Sequence, residues 1–188
     1  MMTMKLSGSV LVMLVLVMLQ HALGAVDATS HQAQRRAVAE LLVVSALDAI
    51  EADGLDKVLG EINNVNSTQF RTEDVNGYVF VFANNGTNLA HGQRPDDYVG
   101  RTTDELIASS IPELVGKLDG DKLNAMFVEK AQAGGGWVNY TWIKPATGLV
   151  HEKSSYIKQP SGYDDIYVGS GYDVMTDDVV PAPAPTEE

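Results

Sequence analysis

The chain has 188 residues, enough for one domain with a sizeable core. Its 25 acidic residues outnumber 13 basic ones, and the formal net charge of −12 excludes a protein that grips nucleic acid through its phosphates. Cysteine is absent, which excludes disulfides, a thiol nucleophile and thiolate-bound metal.

The first segment, MMTMKLSGSVLVMLVLVMLQHALGA, combines Lys5, an apolar run from Val10 to Leu19, and small residues at Ala22, Gly24 and Ala25. This reads as a signal peptide over residues 1–25, cleaved after Gly24 or Ala25. The run is short for a membrane span of about 20 residues. The expected destination is secreted, extracellular or periplasmic, with no membrane span after cleavage.

Thr29 and Ser30 are helix-capping types, and Thr29 with Gln32 fits a capping box. The following stretch repeats apolar residues at Ala37, Leu41, Val44, Leu47 and Ile50, a helical period that predicts a long helix. Asp53-Gly54 interrupts it, and LDKVLGEIN continues as a shorter helix. GYVFVFA from Gly77 is a strand apolar on both sides, with Tyr78, Phe80 and Phe82 facing one way. Asn84-Asn85-Gly86-Thr87 is a hairpin turn into a second strand, NLAH.

GQRPDDYVGR reads as loop. Thr103 is expected to cap a helix to about Ser109, and Pro112 to start another short helical segment. Asp119-Gly120-Asp121 reads as the start of a helix that ends near Gly134, rather than as a calcium loop. Three strands follow, WVNYTWI, LVHEKSSYIK and DIYVGSGYDV, separated by turns at Pro145 to Gly148 and Pro160 to Gly162. Short turns imply antiparallel pairing, and the element order implies an α+β layer architecture. Residues 175–188 are acidic and proline-rich and read as a disordered tail, which leaves one domain over residues 30–174.

Taken in order, DGLDKVLGEIN, GYVFVFANNGTNLAH, VGR at Val99 to Arg101, GGGWVNYTWIKPATG, EKSSYIK and YVGSGYD resemble the single Cache domain family over about residues 33–173. The resemblance implies a PAS-like, five-stranded antiparallel sheet. A long N-terminal helix would cover one face. The other would hold a ligand pocket under a helix and loop segment between strands 2 and 3. It further implies a sensor module that binds a small organic acid. Two positions depart from the family pattern. Gly92 stands where a proline is usual after the histidine, and Asp173 stands where a tyrosine is usual, so no pocket contact is carried over to Asp173.

Lys153 reads either as an exposed strand lysine or, by the resemblance, as a pocket cation for a carboxylate. His91 ends the second strand, as a surface residue or as a pocket donor whose charge responds near neutral pH. Arg94 is a further candidate on the adjoining loop. Alternation puts Tyr140 and Trp142 on one side of their strand and Trp137, Asn139 and Thr141 on the other; the first pair is assigned to the pocket. Ser155 shares a side with Lys153, although the register between the strands is open. The ligand-binding set is therefore Lys153, His91, Tyr140, Trp142, Ser155 and Arg94.

No nucleophile elbow, phosphate loop or dinucleotide fingerprint occurs, and His31, His91 and His151 lack metal-ligand spacing. The expectation is a binding module, not an enzyme, that needs no cofactor or metal and has no output domain of its own. Its expected partners are a small organic acid and a membrane receptor or signalling protein, with a homodimer through the N-terminal helix as a further possibility. The alternative is a structural or dimerising Cache-like protein with no small ligand.

Overall fold

The computed structural model describes residues 8–72, 77–110, 115–116, 118–143 and 150–174, with side chains from 31 onward. One compact unit spans Arg35–Met175, and residues 1–34 with 176–188 make up a second. The predicted tail and the Pro145 to Gly148 turn fall outside the described residues, as do the Pro112 segment and the side chains of the predicted leader.

Helix α1 spans Gly8–Asp53. It does not begin at the predicted cap, Thr29, because the preceding leucine-, valine- and alanine-rich run has no proline to break it. Gly54, at φ +86°, ends α1 in a conformation that suits glycine. Helix α2 follows over Leu55–Asn63. The strands are β1 (Arg71–Thr72), β2 (Gly77–Ala83), β3 (Asn88–His91), β4 (Gly136–Ile143), β5 (Val150–Lys158) and β6 (Ile166–Asp173). Between β3 and β4 lie α3 (Pro95–Tyr98), α4 (Thr103–Ser110) and α5 (Gly120–Gln132).

All strand pairs are antiparallel, in the order β1-β2-β6-β5-β4, with β3 also paired to β2. The expected strands are all present, and the short β1 is an addition. Residues 95–98, expected as loop, form the turn of helix α3, begun by Pro95 at its first position. The α4 cap is Thr102 rather than Thr103. Thr102 Oγ1 accepts from the Glu105 N–H, while the Glu105 carboxylate accepts from the Thr102 N–H. Asp119 caps α5 by accepting from the Lys122 N–H at 2.9 Å.

The sheet divides the core in two. On its back, Val79, Val81, Ile166 and Val168 pack against Leu42, Val43, Ala46 and Ile50 of α1 and Val58 and Ile62 of α2. Of the apolar residues that set the predicted period, Ile50 is buried and Leu47 packs against the back core, whereas Leu41 is 64% exposed and Val44 42% exposed. This helix is apolar on two sides, so its period could not choose between them. Trp137 also lies on the back, where Arg36 stacks 4.1 Å from its ring centroid and its indole N–H donates to Glu40. On the front, Tyr78, Phe80, Phe82, Val138, Trp142, Ile157 and Tyr167 meet Tyr98, Leu106, Ile107, Leu123 and Phe127 from the three short helices.

Candidate functional site

The front core is not filled completely. A cavity with about 30 Å³ open to water centres lies between the sheet and helices α3 to α5, room for more than one water molecule. Phe80, Phe82, Leu123 and Phe127 supply its apolar wall, and Tyr78, His91, Tyr98, Thr103, Tyr140, Trp142 and Lys153 its polar one.

Strand alternation and register explain how these groups meet. Tyr140 of β4 lies directly across from Lys153 of β5, and Lys153 across from Asp173 of β6. Tyr78 reaches the same point from β2. Phe80 lies over Gly169, its cross-strand partner, and a Cβ at Gly169 would collide with the Phe80 ring. A side chain at Gly171 would likewise strike Ser155 Oγ. The two glycines of β6 therefore keep the sheet surface low beneath the cavity.

Lys153 is only 2% exposed. Its Nζ donates to the Tyr78 hydroxyl at 2.7 Å, and it forms no ion pair with any described carboxylate. Burial, followed by the Asp173 charge, raises the pKa of Tyr78, so this phenol stays protonated and directs its own hydrogen away from the ammonium. Burial also pushes Tyr140 up to about 12, against the opposing pull of Lys153 and Ser155.

His91 is held as a neutral donor. Its Nδ1 accepts from the Arg94 N–H at 2.9 Å and the Gln93 N–H at 3.4 Å, which leaves the proton on Nε2. Burial, then the Lys153 and Arg94 charges, lower its pKa well below 6.5. The expected charge response near neutral pH is therefore corrected, because protonation would set a buried cation beside two others. Asn63 at the end of α2 fixes this strand end, accepting from the His91 N–H and donating to the Leu89 carbonyl. The His91 ring stacks on Tyr98 at 4.0 Å and lies 4.7 Å from Tyr78.

Of the six predicted residues, Lys153, His91, Tyr140 and Trp142 line one cavity. Ser155 is fully buried one layer behind, hydrogen-bonded to the Tyr140 hydroxyl at 3.0 Å, so it positions Tyr140 rather than facing the cavity. Arg94 lies outside: its side chain is 43% exposed and pairs with Asp97 at 2.7 Å, an i,i+3 contact along α3. Asp173 is drawn to His151 at the strand ends instead of the cavity wall. Sequence reasoning missed Tyr78 and Tyr98. Alternation already put Tyr78 on the side of Phe80 and Phe82, but nothing in the residue pattern placed Tyr98 on a helix.

A family model for the Cache domain matches residues 44–178, well over half of the chain. The chain belongs to the Cache domain family. The sensor histidine kinase MctS of Rhizobium johnstonii is 32% identical to this Cache domain over 103 residues, 55% of the present chain. The chain spans only 20% of that relative's length. A periplasmic sensor domain of a chemotaxis protein aligns with a TM-score of 0.53 at 23% identity, over 78% of this chain and 97% of its own. A methyl-accepting chemotaxis protein from Vibrio parahaemolyticus aligns at 0.56 with 18% identity, over 78% and 93%. At these identities the structural likeness shows a common fold.

Proposed function

We propose that this Cache domain is an extracytoplasmic sensor module that binds a small organic anion, a short-chain carboxylate, between its sheet and helices α3 to α5. One observation carries the reading: the buried Lys153 ammonium faces a cavity with a neutral phenol as its partner. A buried cation whose direct partner is neutral is destabilising, and an anion bound there would supply a charge in contact with it. The aromatic wall suits the short apolar tail of such an acid. Export by the leader at residues 1–25 and signalling through a receptor or other partner protein belong to this reading.

A thermal-shift screen with acetate, propionate, butyrate, lactate, pyruvate and amino acids tests it. At least one acid should raise the melting temperature, and Lys153→Met should abolish the response. A response that persists in Lys153→Met would remove the lysine from the site.

The alternative, a dimerising Cache protein without a ligand, draws on Leu41 and Val44, exposed at 64% and 42% on α1. It requires that Leu41→Glu convert a dimer to a monomer in sedimentation velocity, and that no acid shift the melting temperature. The buried lysine favours the first reading.

A further inference from the structure

Lys153 and Asp173 stand opposite each other on β5 and β6. The Val174 N–H, just past β6, donates to the Glu152 carbonyl at 2.9 Å, which makes those two a hydrogen-bonded pair of the antiparallel ladder. Lys153 and Asp173, one step along, are therefore a non-hydrogen-bonded pair. In such pairs the Cα atoms approach to about 4.5 Å and the side chains leave the same side of the sheet close together. Opposite charges so placed would ordinarily close into an ion pair. Here the two charges do not meet. The Asp173 carboxylate pairs with His151 Nε2, and Lys153 Nζ donates to the Tyr78 hydroxyl. His151 precedes Lys153 by two residues on β5 and shares its side, so both compete for one carboxylate. An ionised carboxylate only accepts, so His151 Nε2 carries the hydrogen of this contact. Both side chains are 15% exposed. Trp142, across from His151 on β4, lines the cavity, which sets the pair beside it. The Asp173 charge is felt at the Tyr78 phenol, the partner of Lys153.

We infer that Asp173 is a built-in competitor for the Lys153 ammonium, and that His151 keeps the site open to an external carboxylate by holding Asp173 aside. This rests on the carboxylate reading above and adds its regulation, through two arrangements of one side chain. With Asp173 on His151, the ammonium has only the neutral Tyr78 as direct partner and takes an anion. With Asp173 turned onto Lys153, that charge is already matched, and an incoming carboxylate would meet a second carboxylate. His151 is thus a positioning residue: it touches no ligand and acts on affinity through Asp173. Molecules that hold Asp173 on Lys153 are lost to binding, and the apparent Kd rises in proportion.

Isothermal titration of the full chain with propionate and with pyruvate tests this in the unmodified protein, His151→Leu, Asp173→Asn and the double variant. His151→Leu should weaken binding by about tenfold, the loss when nine-tenths of the molecules hold Asp173 on Lys153. Asp173→Asn should bind at least as tightly as the unmodified protein. In that background His151→Leu should change affinity by less than about twofold. An unchanged affinity in His151→Leu overturns the proposal, as does an equal loss in both backgrounds, which would mean that His151 acts on the ligand directly. A second arm needs no ligand. In the His151→Leu background, Lys153→Met should lower the urea midpoint, because it breaks the new ion pair and leaves Asp173 without a partner; in the unmodified background it should not. The same effect in both backgrounds overturns the competition itself. If neither acid binds, the carboxylate reading falls, whereas a positive result in the second arm still establishes that Asp173 and His151 compete over Lys153. His151→Phe, which keeps a ring without a donor, replaces His151→Leu in both arms if the latter folds poorly.

Discussion

Lys153 and His91 occupy the same cavity under opposite constraints. Lys153 carries its charge into a site that gives it one neutral partner, so the free protein is stabilised little by it. Lys153→Met, of similar volume and without charge, should leave the stability of the unliganded protein unchanged or raise it by about 1–2 kcal/mol in urea denaturation. A loss above about 1 kcal/mol would mean that the Tyr78 contact is structural. His91 is held neutral by burial and the neighbouring cations, with a pKa well below 6.5. A base with a depressed folded-state pKa contributes stability that is complete above its unfolded value. That stability is lost as the pH falls below about 6.5, where the unfolded chain takes up the proton first. NMR of the ring nitrogens should show His91 still neutral at pH 5.5, with the proton on Nε2; titration near 6.5 would contradict its buried setting.

The elements hold these residues by means that can be tested away from the cavity. Gly169 of β6 leaves space for the Phe80 ring, so Gly169→Ala forces the ring or the strand to move. Overpacking of this kind costs about 1–3 kcal/mol, read from the shift of a denaturation midpoint at constant slope. Helix α5 carries Leu123 and Phe127 to the cavity and is capped by Asp119. Asp119→Ala should destabilise the domain by about 1 kcal/mol and loosen that wall, whereas Asp119→Ser should recover most of the loss. The strands were legible because alternation and turn residues are local signals, and the Asn85-Gly86 hairpin is the clearest of them. The choice of Tyr140 and Trp142 over Trp137 was legible only as one of two options. Trp137 went to the back because α1 offered it Arg36 and Glu40, residues a hundred positions away in sequence and invisible to any local pattern.

The charge of the whole molecule opposes that of its site. A net charge of −12 would repel an organic anion at long range, while on the proposed reading Lys153 would attract it at contact. Salt screens the first effect more than the second. The association rate of propionate or pyruvate in stopped-flow measurements should therefore rise between 20 and 150 mM NaCl. A fall would mean that a local positive field around Arg94 steers the ligand instead.

The sequence by itself determined strands β2 to β6, the helical connection between β3 and β4, the break at Gly54 and the resemblance to Cache domains. These follow from period, turn chemistry and motif order, all encoded within short windows. Only the tertiary structure decided which apolar face of α1 meets the sheet, that Lys153 lies opposite Tyr140 and beneath Tyr78, that Arg94 turns away, and that Tyr98 stacks on His91 at the cavity wall. Each of these depends on strand register and on contacts between residues distant in the chain. A one-residue change of register would send Lys153 to the opposite side of the sheet without altering a single local signal.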